Sequence, residues 1–144
     1  MVAALRGWGL FRFSRNRIVW ELLWVGSGGF FGAISRYALG NWVTSKLGAT
    51  FPFGTLVINL SGCFILGFFG TLALQRATLI PPEARLLIAV GFVGAYTTFS
   101  TFSFEIIRLL EENNLVLALA YVLGSVLFGL LLTYLGVIAA RALG

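Results

Sequence analysis

The sequence predicts an all-α membrane protein of four transmembrane helices, the third broken mid-membrane. Three observations carry that prediction. Hydrophobic residues make up 59% of the 144-residue chain and charged residues only 10%, where a soluble domain has roughly 25% charged residues. The apolar residues gather into four runs of about 20 residues, the length that crosses a bilayer. One run is interrupted by Gly94-Ala95-Tyr96-Thr97-Thr98-Phe99-Ser100-Thr101-Phe102-Ser103, a stretch crowded with hydroxyls.

Residues 1–21 read as a basic N-terminal tail, with Arg6, Arg12, Arg15 and Arg17 among Trp8, Phe11 and Phe13. The tail has no apolar segment ending in a small-residue cleavage site, so it reads as interfacial or disordered rather than as a secretory signal. Residues 22–144 form the transmembrane domain. The first span, 22–43, is glycine-rich and carries Arg36. The second, 54–74, holds no charge and one Asn, Asn59. The third, 86–110, contains the interruption and Glu105. The fourth, 115–140, is uncharged. Pro52, Pro81 and Pro82 fall between spans, where a missing N–H donor does least harm. The connections are short, so neighbouring helices run antiparallel. Arg6, Arg12, Arg15, Arg17, Arg76, Arg85 and Arg141 lie on one side of such a bundle, and Lys46 and Arg108 on the other. That bias predicts both termini in the cytoplasm.

Composition also excludes classes of function. The chain has no His, which removes histidine acid–base catalysis and His-ligated zinc. The single Cys63 forms neither an intramolecular disulfide nor a CxxC site and reads as a small packing residue. The formal charge of +5 sits at span ends rather than along one soluble face, so it does not indicate nucleic-acid binding. No phosphate-binding GxxxxGK[ST] loop is present.

Each uninterrupted span carries a stripe of small or polar residues at i, i+4 spacing. These are Gly28, Gly32, Arg36 and Gly40; Thr55, Asn59, Cys63 and Gly67; and Tyr121, Ser125, Gly129 and Thr133. Such faces let helix backbones approach closely. Arg36 costs at least ~2.5 kcal/mol if it stays in hydrocarbon. It therefore either forms an electropositive vestibule or snorkels to the span end. Asn59 either donates to an anion or bridges helices.

A broken helix in hydrocarbon leaves N–H and C=O groups that must be buried in protein, line a watery cavity or hold an ion. The carbonyls of Gly94, Ala95, Tyr96 and Thr97 suit a hard cation. Phe99 and Phe102, three apart on the resumed helix, present ring edges of positive partial charge. Such edges attract an anion without trapping it as a full charge does. Glu105, at i+4 from Thr101, is positioned to accept hydroxyl hydrogen bonds, to pair with Arg108 or to couple protons, and the structural roles are favoured.

The segments 28–37 (GGFFGAISRY), 54–62 (GTLVINLSG) and 91–105 (GFVGAYTTFSTFSFE) resemble the Fluc (CrcB) family of small fluoride channels. The resemblance covers about residues 25–140, and the TTFSTFS run followed by Glu105 is its most specific part. It implies an antiparallel dual-topology homodimer in the plasma membrane, with two fluoride pathways and passive export of cytoplasmic fluoride. It implies a central structural sodium ion held by the main-chain carbonyls of Gly94 and Thr97. The fluoride pathway would comprise Asn59, Phe99, Phe102, Ser100, Thr101, Glu105, Tyr121 and Ser125, with Arg36 at the vestibule. The Arg-rich tail departs from the low charge bias that dual insertion needs, which leaves an oppositely inserted paralogue as the other partner. Size argues for a partner too, since four helices leave little interior. The competing expectation is a small four-helix cation exchanger. Such a protein usually buries an acid mid-span. Here Glu21 sits at a span edge, and the second and fourth spans have no acid. A non-transporting assembly subunit would need neither the break nor the Arg-Asn-Phe set.

Overall fold

The computed structural model describes residues 15–143, and all regular structure among them is helical. Helix α1 spans Arg15–Leu47, 33 residues. Residues 15–21 of the basic segment are helical and continuous with the first span; residues 1–14 lie outside the described residues. At 1.5 Å per residue α1 is about 50 Å long, more than the ~30 Å hydrocarbon core, so it projects into at least one interface. It stops at Gly48, whose φ of 84° lies in the left-handed region and whose N–H bonds the Thr44 carbonyl at 2.9 Å. A glycine just past the last turn ends a helix at little steric cost.

Helix α2 spans Phe53–Gln75. Helix α3, residues 82–96, opens with Pro81 extended and Pro82 in its first turn, where a missing donor is tolerated. It runs through Pro82–Arg85, widens into π-helical turns over Leu86–Val93 and closes with Gly94–Tyr96. Thr97 and Thr98 are extended. Helix α4 resumes at Phe99–Glu111. It ends at Asn113, with φ 58°, after which the Asn114 N–H bonds the Leu109 carbonyl at 2.8 Å. Helix α5 spans Leu115–Ala142. By length and hydropathy, Arg17–Leu47, Phe53–Gln75, Pro82–Glu111 and Leu115–Ala142 are each able to cross a membrane.

Two helix pairs build the body: α1 lies along α3, and α2 along α5. The glycine stripes explain how. A Cβ on Gly28 would sit 2.8 Å from the Phe92 nitrogen, and one on Gly32 would run into the Phe92 carbonyl. A Cβ on Gly67 would strike the Thr133 carbonyl, and one on Gly136 would lie 2.7 Å from the Phe68 nitrogen. Backbone thus meets backbone in both pairs, which is how membrane helices gain dispersion contact without a hydrophobic driving force. A small core of Leu109, Ala118 and Tyr121 joins α4 to α5, with Phe51, Leu56 and Phe102 against it. Much of the remaining apolar surface faces outward, including Phe99, Phe104 and Val116.

Candidate functional site

The site grows from the two extended residues between α3 and α4. A regular helix would send the Thr98 N–H to the Gly94 carbonyl and the Thr101 N–H to the Thr97 carbonyl. Neither N–H goes there. The Thr98 N–H donates to Asn59 Oδ1 at 2.8 Å, while Asn59 Nδ2 donates to the Thr98 carbonyl at 3.0 Å. The Thr101 N–H donates to Thr98 Oγ1 at 3.2 Å, which makes Thr98 the N-cap of α4. Thr97 N–H and Thr97 Oγ1 both reach the Val93 carbonyl at 3.0 Å and close the last turn of α3. Side chains thus take over the Thr98 and Thr101 N–H groups, while the Gly94 and Thr97 carbonyls lose the donors a helix would give them.

Thr98 separates two grooves. One, of about 250 Å³, is lined by Asn59, Gly62, Cys63, Val93, Thr97 and Phe99 among others. The second, of about 340 Å³, is lined by Arg36, Tyr37, Asn41, Thr55, Thr101 and Glu105 among others. The expected pathway residues are thus divided: Asn59 and Phe99 share the first groove, and Arg36, Thr101 and Glu105 the second. Arg36 is half-buried beside the polar residues of its groove. Ser100 is exposed, with its Oγ 3.3 Å from Thr98 Oγ1. Gly94 is also exposed.

Phe99 and Phe102 are neighbours, with ring centroids 5.9 Å apart, but their surroundings differ. Phe99 is 79% exposed. Phe102 packs edge-on against Tyr121 at 4.9 Å, and Phe51 approaches the same ring at 5.4 Å. Tyr121 is fully buried. Ser125, one turn further along α5, has a buried Oγ without a hydrogen-bond partner among the described residues.

Glu105 accepts hydroxyl hydrogen bonds, as one expectation had it, but from other helices rather than from Thr101, and it does not pair with Arg108. Its Oε1 accepts from Thr55 Oγ1 at 2.8 Å and its Oε2 from the Tyr121 hydroxyl at 2.7 Å, so one carboxylate links α2, α4 and α5. Arg108 instead lies 3.8 Å from Glu112, an exposed i, i+4 pair that contributes little. Thr101 is occupied by Thr98, whose Oγ1 donates to its hydroxyl at 3.1 Å.

Thr55 and Thr98 are the residues that sequence reasoning passed over as site groups. Thr55 is buried, and it precedes Asn59 by one helical turn, so the two share a face of α2. That spacing was the available signal. Thr98 lay in plain view within the hydroxyl run, and only its extended backbone marks it as the hinge of the network.

Fold and site together define a multi-pass membrane protein, four apolar helices long, whose polar groups converge on Thr98 and Glu105. The chain belongs to the CrcB family, described as CrcB-like protein, Camphor Resistance (CrcB), which it matches over residues 23–137. It is 51% identical over 120 residues to the fluoride-specific ion channel FluC of Trichormus variabilis, covering 83% of this chain and 88% of that one. It is 47% identical over 117 residues to the FluC of a Synechococcus species, covering 81% and 89%. To the FluC of Pelobacter propionicus it is 50% identical over 112 residues, covering 78% and 86%.

Proposed function

We propose that this chain is the subunit of a fluoride-selective channel that lets cytoplasmic fluoride leave the cell passively across the plasma membrane. The observation that carries the reading is the side-chain-supported interruption at Thr97–Thr98, with Asn59 and the exposed ring of Phe99 in one groove beside it. Curated relatives identical at about half of the aligned residues are fluoride-specific channels, and this supports the choice of ion. Such a leak needs no covalent chemistry. It needs donors of partial positive charge that bind an anion weakly enough to release it. The ring edges of Phe99 and Phe102, the second N–H of the Asn59 amide and the hydroxyls of Ser100, Thr101, Tyr121 and Ser125 are such groups. The unpartnered Ser125 Oγ is a buried hydroxyl free to donate. Arg36 supplies positive charge at the mouth of the second groove, and Glu105 holds the hydroxyls of Thr55 and Tyr121 in place.

The functional unit in this reading is an antiparallel homodimer or a pair with an oppositely inserted paralogue, with two pathways. Phe99, 79% exposed beside the Asn59 groove, leaves a ring that a second subunit would cover. A central sodium ion fits the donor set, because the Gly94 and Thr97 carbonyls have lost the N–H groups that a helix would give them. Oxygen ligands of this kind suit a hard cation. Bound there, sodium would supply fixed positive charge at the centre of the assembly.

The reading is tested by ion release from liposomes carrying the purified protein, with valinomycin balancing charge and separate fluoride and chloride electrodes. Rapid fluoride release with no chloride release is expected. Silence at both electrodes from a folded dimer would overturn the homomeric channel and favour a paralogue pair or a cation exchanger.

A further inference from the structure

We infer that Asn59 is a positioning residue for the cation site: its grip on the Thr98 peptide keeps the Gly94 carbonyl unpaired and aims the Thr97 carbonyl. The inference rests on the sodium reading above and deepens it.

The argument starts from Thr98. Its φ of −150° and ψ of 124° are those of a strand, so its N–H and C=O point to the same side of the chain. The primary amide of Asn59 meets both, at 2.8 and 3.0 Å, as a neighbouring strand residue would. The amide orientation is forced, because a backbone N–H only donates and a carbonyl only accepts.

Two consequences follow for the carbonyls. The Thr98 N–H is the ladder donor of the Gly94 carbonyl, and Asn59 Oδ1 competes for it. While Asn59 holds that N–H, the helix cannot close over Gly94. The second consequence comes from planarity. The Thr98 N–H and the Thr97 C=O belong to one trans peptide unit, so they point in opposite directions. Fixing the N–H on Asn59 therefore fixes the Thr97 carbonyl on the far side of the chain from the Asn59 groove. A cation on that oxygen polarises the shared peptide and strengthens the N–H bond to Asn59, so the two interactions support each other. One side chain thereby couples the groove holding Phe99 to the cation site through a single peptide plane.

The test is a sodium titration of thermal stability in purified protein, at constant ionic strength with a large organic cation as replacement. Wild-type protein is expected to gain stability as sodium saturates. Asn59→Leu and Asn59→Ser, which remove both contacts, are expected to raise the sodium concentration at half-effect about tenfold, the scale of one lost charge-supported hydrogen bond. Phe99→Ile, which touches neither carbonyl, is the control and should leave that midpoint in place. A lowered melting temperature with an unchanged sodium midpoint in the Asn59 variants would make Asn59 merely structural and overturn the inference while the sodium reading stands. A wild-type protein indifferent to sodium would overturn both. Amide hydrogen exchange at Thr98 in the wild type provides the measurement that needs no variant. Sodium is expected to slow it, and equal exchange with and without sodium would overturn the coupling.

Discussion

The seam between α2 and α5 and the junction between α3 and α4 solve opposite problems. In the seam the backbones are self-satisfied helices, and the glycines Gly67 and Gly136 let them touch. Among the described residues a hydrogen bond from Arg76 to the Leu143 carbonyl joins the two helices only at their ends, so the strength of the seam itself is contact. At the junction the backbone ladder stops, and Asn59 and Thr98 take over donors that the helix has given up. Glu105, one turn beyond Thr101, ties three helices through two hydroxyls. The seam tolerates no added volume and is indifferent to polarity. The junction depends instead on the partners that replace the helical ladder, although it too is close-packed, since a Cβ on Gly62 would run into the Thr97 side chain. A membrane protein is thus able to keep an irregular segment only beside a regular body that needs none of its polar groups.

Replacing Gly136 with Leu attacks the seam directly. The new side chain would enter the Phe64 and Phe68 backbone, where overpacking costs typically ~1–3 kcal/mol and more against rigid backbone. Loss of monodisperse protein on size exclusion is expected. A well-folded variant would mean that the two helices do not rely on close approach.

Glu105→Ala attacks the junction. It strands the buried Thr55 hydroxyl and the Tyr121 hydroxyl, each costing about 1–3 kcal/mol when left unpaired. Thermal denaturation in detergent should show a clear drop, and Glu105→Gln, which keeps one acceptor, should recover part of it. Equal melting of all three proteins would remove Glu105 from its linking role.

Phe99→Ile separates function from stability. The ring is largely exposed, so melting should hardly change, while fluoride release should fall by about tenfold or more, equivalent to ~1.4 kcal/mol of barrier. Undiminished release would end the ring-edge role. The smallest effect is expected for Thr97→Ala. The Val93 carbonyl keeps the Thr97 N–H as a partner, so the lost hydroxyl should cost about 0.5 kcal/mol at most. A larger loss of stability would show that the threonine side chain, and not only its backbone, holds the junction.

Much of this was legible in the sequence because lipid imposes one-dimensional rules. A run of about 20 apolar residues without charge has few other fates, so the spans 54–74 and 115–140 fall within α2 and α5. Arg36, Thr101 and Glu105 stood out because polar groups in apolar runs are expensive. The pairing of those groups was not legible. Glu105 has Arg108 one turn away in sequence, yet it bonds Thr55 and Tyr121, which come from other helices. Local spacing names the partners within reach along one helix, and it says nothing about the faces brought opposite by packing.

The sequence by itself determined four apolar helices, their glycine faces and a hydroxyl-rich segment around Thr97, because burial in lipid and backbone hydrogen bonding constrain each segment separately. Only the tertiary structure decided that the amide of Asn59 would occupy Thr98 and that Thr55 and Tyr121 would share Glu105. Those contacts join residues 16 to 50 positions apart, and they exist because glycine-lined helices pack close enough to bring short side chains within hydrogen-bond reach.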